Sequence, residues 1–95
     1  MSQPLQQQEV QQGLEQLKGW VAEDDKLKKD FKFKNFREAV AFISRLAFEA
    51  EEMNHHPDLF NSYNKVSINL STHDAGGKIT QKDIGLAKKI DEIHS

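Results

Sequence analysis

The stretch KLKKDFKFKNFREAVAFISRLAFEAEEMNHHP, Lys26 to Pro57, changes its hydrophobic period midway, and that change decides the fold. From Lys26 to Lys34 every even position is charged, while the odd positions include Leu27, Phe31 and Phe33, with Lys29 as the exception. A period of two is that of a strand with one face in a core. From Asn35 onward the spacing becomes helical. At about 100° per residue Phe36, Ala39, Val40, Phe42, Ile43, Leu46, Ala47, Ala50 and Met53 share one broad apolar arc, which predicts the central core helix. Asn35 is its N-cap, with Glu38 three residues on as an imperfect capping box. Phe48 falls outside the arc, an exposed aromatic suited to a subunit contact.

The end of this helix carries the chemistry. A residue before proline is pushed out of the α region, so Pro57 makes His56 extended and stops the helix near Asn54 or His55. His55 is then expected to project from the last helical turn and His56 from the segment after it. Glu51 stands four residues before His55, a spacing that brings its carboxylate to the imidazole. Carboxylate and helix C-terminus would both favour the protonated ring, making His55 a candidate acid near neutral pH.

Working outward, WVAE (Trp20 to Glu23) reads as the partner strand of a hairpin that turns through Glu23, Asp24 and Asp25. Upstream, Val10, Leu14 and Leu17 are helically spaced, predicting a first helix from about Pro4 or Leu5 to Lys18, with Gly19 as its stop and residues 1–8 frayed. Downstream, Val66, Ile68 and Leu70 alternate with Lys65, Ser67 and Asn69 as a further strand. Ser71, Thr72, His73 and Asp74 follow at its end, then a Gly76-Gly77 turn, after which a short fourth strand is expected. Thr80 and Asp83 cap a final helix whose Ile84, Ala87, Ile90 and Ile93 face inward. His94 is assigned to solvent.

Composition narrows the classes of function. Ninety-five residues, 37% hydrophobic, make one domain with a modest core. Thirteen Lys and Arg against fifteen Asp and Glu give a net charge of -2, so no bulk positive field draws in nucleic acid. The lysines between Phe31 and Phe33 alternate as a solubilising outer face would, which argues against a single-strand binding platform. The absence of cysteine excludes disulfides, thiolate metal cages and a cysteine nucleophile, and fits a cytoplasmic protein. No apolar run is long enough to span a membrane. His55, His56 and His73 with Glu51 and Asp74 include ligand types for Zn²⁺, but no His pair has the i, i+4 spacing that presents two nitrogens to one ion. Histidines that only cap and hydrogen-bond would also account for them.

Glu51, three residues, His55-His56-Pro57, five residues, Tyr63, then NKVSINLSTHD downstream and Gly19-Trp20 upstream resemble the pterin-4a-carbinolamine dehydratase family, from about Gly19 to Asp91. The resemblance implies an α+β fold ordered α-β-β-α-β-β-α, with helices on one face of a four-stranded antiparallel sheet. It implies dehydration of 4a-hydroxytetrahydropterin to quinonoid dihydropterin, which recycles the cofactor of aromatic amino acid hydroxylases, with no metal and no cofactor of its own. His55, His56, His73 and Glu51 are then the catalytic group. Pro57, Phe60, Ser71, Thr72, Asp74 and Ala75 join the histidines in binding the pterin. Where the family commonly has an acidic residue, Trp and Phe after the proline, this chain has Asp58, Leu59 and Phe60, and Leu59 cannot stack as an indole would.

Hydroxide leaves poorly, so such a reaction needs one acid and one base, and His55 and His73 would share those roles in an order the sequence leaves open. His56 would orient the substrate and Glu51 would tune His55. The resemblance also implies a homodimer or homotetramer. It brings two competing readings, a dimerisation cofactor for a homeodomain transcription factor and a role on another pterin in molybdenum-cofactor metabolism.

Overall fold

A computed structural model describes residues 3–94. The elements run α1 (Gln7–Leu14), β1 (Val21–Glu23), β2 (Lys26–Lys32), α2 (Phe36–Glu52), β3 (Asp58–Ser62), β4 (Lys65–Leu70) and α3 (Gln81–His94), with a 3-10 turn at His73–Ala75. The four strands form one antiparallel sheet in the order β1-β2-β4-β3. The chain is thus the expected α-β-β-α-β-β-α domain.

Period two in β2 sets which face is buried. Its pairing puts Leu27 opposite Leu70 and Phe31 opposite Val66, so these side chains share a face with Ile68, and all are buried. Ala39, Phe42, Leu46 and Ala50 of α2 and Ile84, Leu86, Ala87 and Ile90 of α3 complete the core against them. Each fully buried Leu or Ile contributes roughly 1.5–3 kcal/mol of transfer free energy. Lys28, Asp30 and Lys32 lie opposite Asn69, Ser67 and Lys65 on the other face.

The capping expected at Asn35 is present, its side chain accepting from the Glu38 backbone N–H at 2.9 Å. At the far end of the chain, Asp91 Oδ1 accepts from Trp20 Nε1 and Lys29 Nζ, each at 2.9 Å. These bonds tie the end of α3 to Trp20 and to β2.

Several local expectations are corrected. The fourth strand does not follow the Gly76-Gly77 turn, where only an isolated bridge joins Thr72 and Lys78. It is β3, directly after Pro57, paired with β4 from Asp58↔Asn69 to Ser62↔Lys65. Helix α1 stops at Leu14 rather than Lys18, and Gly19 (φ 77) lies in the loop beyond it. Leu5 N–H donates to Ile79 C=O at 2.8 Å, and α1 begins at Gln7. Met1 and Ser2 lie outside the described residues. The apolar arc of α2 is wider than its buried face, leaving Phe36, Val40 and Ala47 exposed beside Phe48. His94 retains solvent contact, but its ring packs edge-on against Phe31, Phe33 and Phe42, with centroids 4.8, 5.6 and 5.9 Å away.

Candidate active site

The site begins where α2 ends. Met53 is the C-cap, and Asn54 adopts a left-handed conformation (φ 52) that Asn tolerates better than most residues. Asn54 N–H then donates to Glu51 C=O and His55 N–H to Ala50 C=O, both at 3.0 Å, the bond pattern of a Schellman motif. The helix therefore closes two residues before His55, and the i, i+4 geometry expected between Glu51 and His55 does not exist. Freed from the helix, the His55 ring turns inward and its Nε2 lies 2.6 Å from Asp83 Oδ1. His56, extended before Pro57, turns outward, and its Nε2 lies 2.9 Å from Glu51 Oε1 at the surface. The expectation that Glu51 tunes His55 is thus corrected: the carboxylate partner of His55 is Asp83, and Glu51 holds His56.

Asp83 is fully buried in the first turn of α3 and also serves as that helix's capping carboxylate. Its Oδ2 accepts from Thr80 N–H and from Thr72 Oγ1, each at 2.9 Å. Thr72 and Thr80 hydroxyls lie 2.7 Å apart, and Thr80 Oγ1 accepts from Lys82 N–H. This network joins the end of α2, the end of β4 and the start of α3. Nothing in the residue pattern marked Asp83 as reaching a histidine 28 positions away. Its only signal was the spacing from Thr80, which reads as a helix cap.

The second wall comes from the end of β4. Thr72 is buried, and the 3-10 turn presents His73 and Asp74 before Gly76 and Gly77, both at φ 74, reverse the chain. A cleft of about 440 Å³ lies between these elements, lined by Asn54, His55, His56, Pro57, Asp58, Thr72, His73, Asp74 and Lys82. The structure thus brings His55, His56, Pro57, Thr72, His73 and Asp74 to one cleft. Ser71 and Ala75 flank that wall without lining it, and Glu51 stands behind His56. Phe60 pairs with Ser67 on the sheet face opposite the helices and is not on the cleft wall. Leu59 pairs with the core-facing Ile68 and also lies off the cleft, so the departure at this position falls on the sheet edge rather than the site. Asn54, Asp58 and Lys82 are lining residues that sequence reasoning missed. A separate cleft of about 320 Å³ between α1 and the β1–β2 turn gathers no histidine.

The chemistry available is proton transfer. Three imidazoles face one space, each with a different setting: His55 buried on a carboxylate, His56 exposed on a carboxylate, His73 exposed on the rim. Among the described residues no group of three His, Asp or Glu side chains is arranged to hold a metal ion.

Comparison with known proteins defines the class. The sequence profile described as pterin 4 alpha carbinolamine dehydratase matches residues 3–93, and the chain belongs to that family. Two relatives bearing the family's name come from Opitutus terrae, 52% identical over 94% of this chain and 92% of the relative, and from Sulfolobus acidocaldarius, 51% identical over 94% and 97%. Among solved structures, a transcriptional coactivator/pterin dehydratase from Brucella melitensis superposes with a TM-score of 0.92 at 36% identity, over 97% of this chain and 99% of the other. A pterin dehydratase-like RuBisCO assembly factor of the alpha-carboxysome shares the fold, with a TM-score of 0.63 at 24% identity over 78% and 84%.

Proposed function

We propose that this protein converts 4a-hydroxytetrahydropterin to quinonoid dihydropterin and water by histidine acid–base catalysis, in the recycling of a tetrahydropterin cofactor. The observation that carries the reading is the meeting of His55, His56 and His73 on one cleft with room for a bicyclic heterocycle. The 4a-oxygen leaves as water once an acid delivers a proton to it. The neighbouring ring nitrogen supplies the electron pair and loses its own proton to a base. His55 and His73 take these two parts, and each positioned transfer is worth roughly 10²- to 10⁴-fold. His56, held by Glu51, orients the ring, and Asp74 offers hydrogen-bonding groups to its pyrimidine edge.

The test is the decay of 4a-hydroxytetrahydropterin followed by stopped flow with and without the protein. Acceleration well above the buffer rate supports the reading, and a trace that matches buffer at micromolar protein overturns it.

Self-association belongs to the same proposal, and a second copy of the chain is the partner. On α2, Phe36, Val40, Ile43 and Ala47 follow a 4-3-4 spacing, that of paired helices, and all but the partly buried Ile43 are exposed. Sedimentation should give a dimer or tetramer for the native chain and a smaller species for Val40→Glu. A native monomer at micromolar concentration would remove this part.

A further inference from the structure

We infer that Asp83 is a positioning residue that fixes the tautomer of His55 and so makes His55 the base of the reaction, acting through Nδ1. The inference rests on the dehydratase reading above and supplies the order that reading leaves open.

The argument is a count of protons. Thr72 Oγ1 donates to Asp83 Oδ2, which spends its single hydrogen there. The 2.7 Å contact between the two threonine hydroxyls is therefore a donation from Thr80 to Thr72. Thr80 Oγ1 in turn accepts from Lys82 N–H, and Thr80 N–H donates to Asp83 Oδ2. Every hydrogen in the chain points toward Asp83, whose buried carboxylate has become the terminal acceptor. Two donors on Oδ2 satisfy an anion and leave Oδ1 to accept from His55 Nε2 at 2.6 Å. With Asp83 ionised, that nitrogen carries the hydrogen.

The other ring nitrogen is then the working one. Among the described residues Nδ1 of His55 has no hydrogen-bond partner, yet no buried side-chain nitrogen or oxygen among them lacks one. Nδ1 is therefore open to solvent, and the space His55 lines is the histidine cleft. A neutral His55 with hydrogen on Nε2 presents a lone pair at Nδ1. It can take a proton from the substrate's ring nitrogen, and the imidazolium so formed faces the Asp83 carboxylate. The electron pair left on the substrate nitrogen forms its double bond to C4a as the C–O bond breaks, and the acid's proton leaves with the oxygen as water. His55 then returns its proton to solvent. Asp83 touches neither substrate nor product and acts only through the ring.

Imidazole ¹⁵N chemical shifts of the intact native protein, read at a pH where His55 is neutral, test this without any variant. Hydrogen on Nε2 is expected, and hydrogen on Nδ1 would overturn the inference whether or not the protein is a dehydratase. Asp83→Asn gives the kinetic arm. Its carboxamide keeps an acceptor for Thr80 while offering an N–H to His55, which moves the ring hydrogen to Nδ1 and removes the lone pair from the cleft. With the fold intact by circular dichroism, kcat should fall roughly 100-fold or more while KM changes by less than about threefold. A folded Asp83→Asn protein with native kcat would overturn the assignment. Should this variant not fold, the tautomer of the native protein still decides. A protein that shows hydrogen on Nε2 but does not accelerate dehydration would keep the positioning role and lose the reaction.

Discussion

His55 and His56 are the same side chain at consecutive positions, each within 2.9 Å of a carboxylate, yet one lies in the interior and the other in water. The His55 side chain is 8% exposed against a fully buried Asp83, whereas His56 and Glu51 are 60% and 77% exposed. Two backbone features divide them. The left-handed Asn54 ends α2 early enough to turn His55 inward, and Pro57 then holds His56 extended so that its ring points the opposite way. Environment then sets what each pair is worth. An exposed pair contributes about 0–1 kcal/mol, whereas removing one partner of a buried hydrogen bond to a carboxylate costs about 1–3 kcal/mol or more because the group left behind has no water. A histidine doublet is therefore two devices, one built into the fold and one laid on its surface.

Kinetics can break this comparison most directly. His55→Ala should lower kcat by roughly 10²- to 10⁴-fold, the range of a positioned acid or base. His56→Ala should act mainly on KM, with a loss in kcat smaller by at least about tenfold, as expected of a group that orients substrate and does not take its proton. Equal losses in kcat would mean that exposure does not separate the two roles.

Stability offers a sharper, smaller test of the buried half. Thr72→Val keeps the shape of the side chain while removing the hydroxyl that donates to Asp83 and accepts from Thr80. Both partners are then left buried and short of a bond, at a cost of about 1–3 kcal/mol in urea unfolding. No comparable cost is expected for Glu51→Gln on the exposed half. A Thr72→Val protein as stable as the native one would show that the network does not hold the inner histidine in place.

What the sequence made legible follows the same division. Strand β2 and helix α2 announce themselves because each buries one face of a regular repeat, and the switch of period at Asn35 marks the boundary within a residue. Strand β3 hides because it is an edge: Leu59 and Phe60 are adjacent apolar residues, both exposed, so no alternation marks DLFNS as a strand. Helix α1 ends at Leu14, and local turn bonds from Gln16 N–H to Gly13 C=O and Leu17 N–H to Leu14 C=O carry the chain on toward Gly19. A Cβ at Gly13 would sit 2.6 Å from Ile84 Cδ1, so the glycine there serves close packing on α3. The histidine doublet and the 71–74 stretch were joined through the family resemblance, and residues of both line one cleft. The pairing of His55 with Asp83 was not, because a contact across 28 positions leaves no periodicity, and the nearer Glu51 offered a plausible local partner.

The smallest expected effect lies on the open face of the sheet and tests whether surface pairing matters at all in this molecule. Lys28 Nζ donates to Glu23 Oε1 at 3.2 Å and to Asp24 Oδ2 at 3.3 Å, and these hydrogen bonds raise its pKa above 10.5, Glu23 contributing most. A lysine with a raised folded-state pKa stabilises the fold fully below the unfolded value, and the contribution is lost as pH rises through the raised one. The affected window therefore lies above about pH 10, far from neutrality. Because both carboxylates are exposed, solvent screens both contacts. Lys28→Gln should leave the neutral-pH melting midpoint unchanged within error, and only a titration into the alkaline range should separate it from the native protein. A clear loss at pH 7 would place real weight on a surface pair and remove the contrast with the buried one.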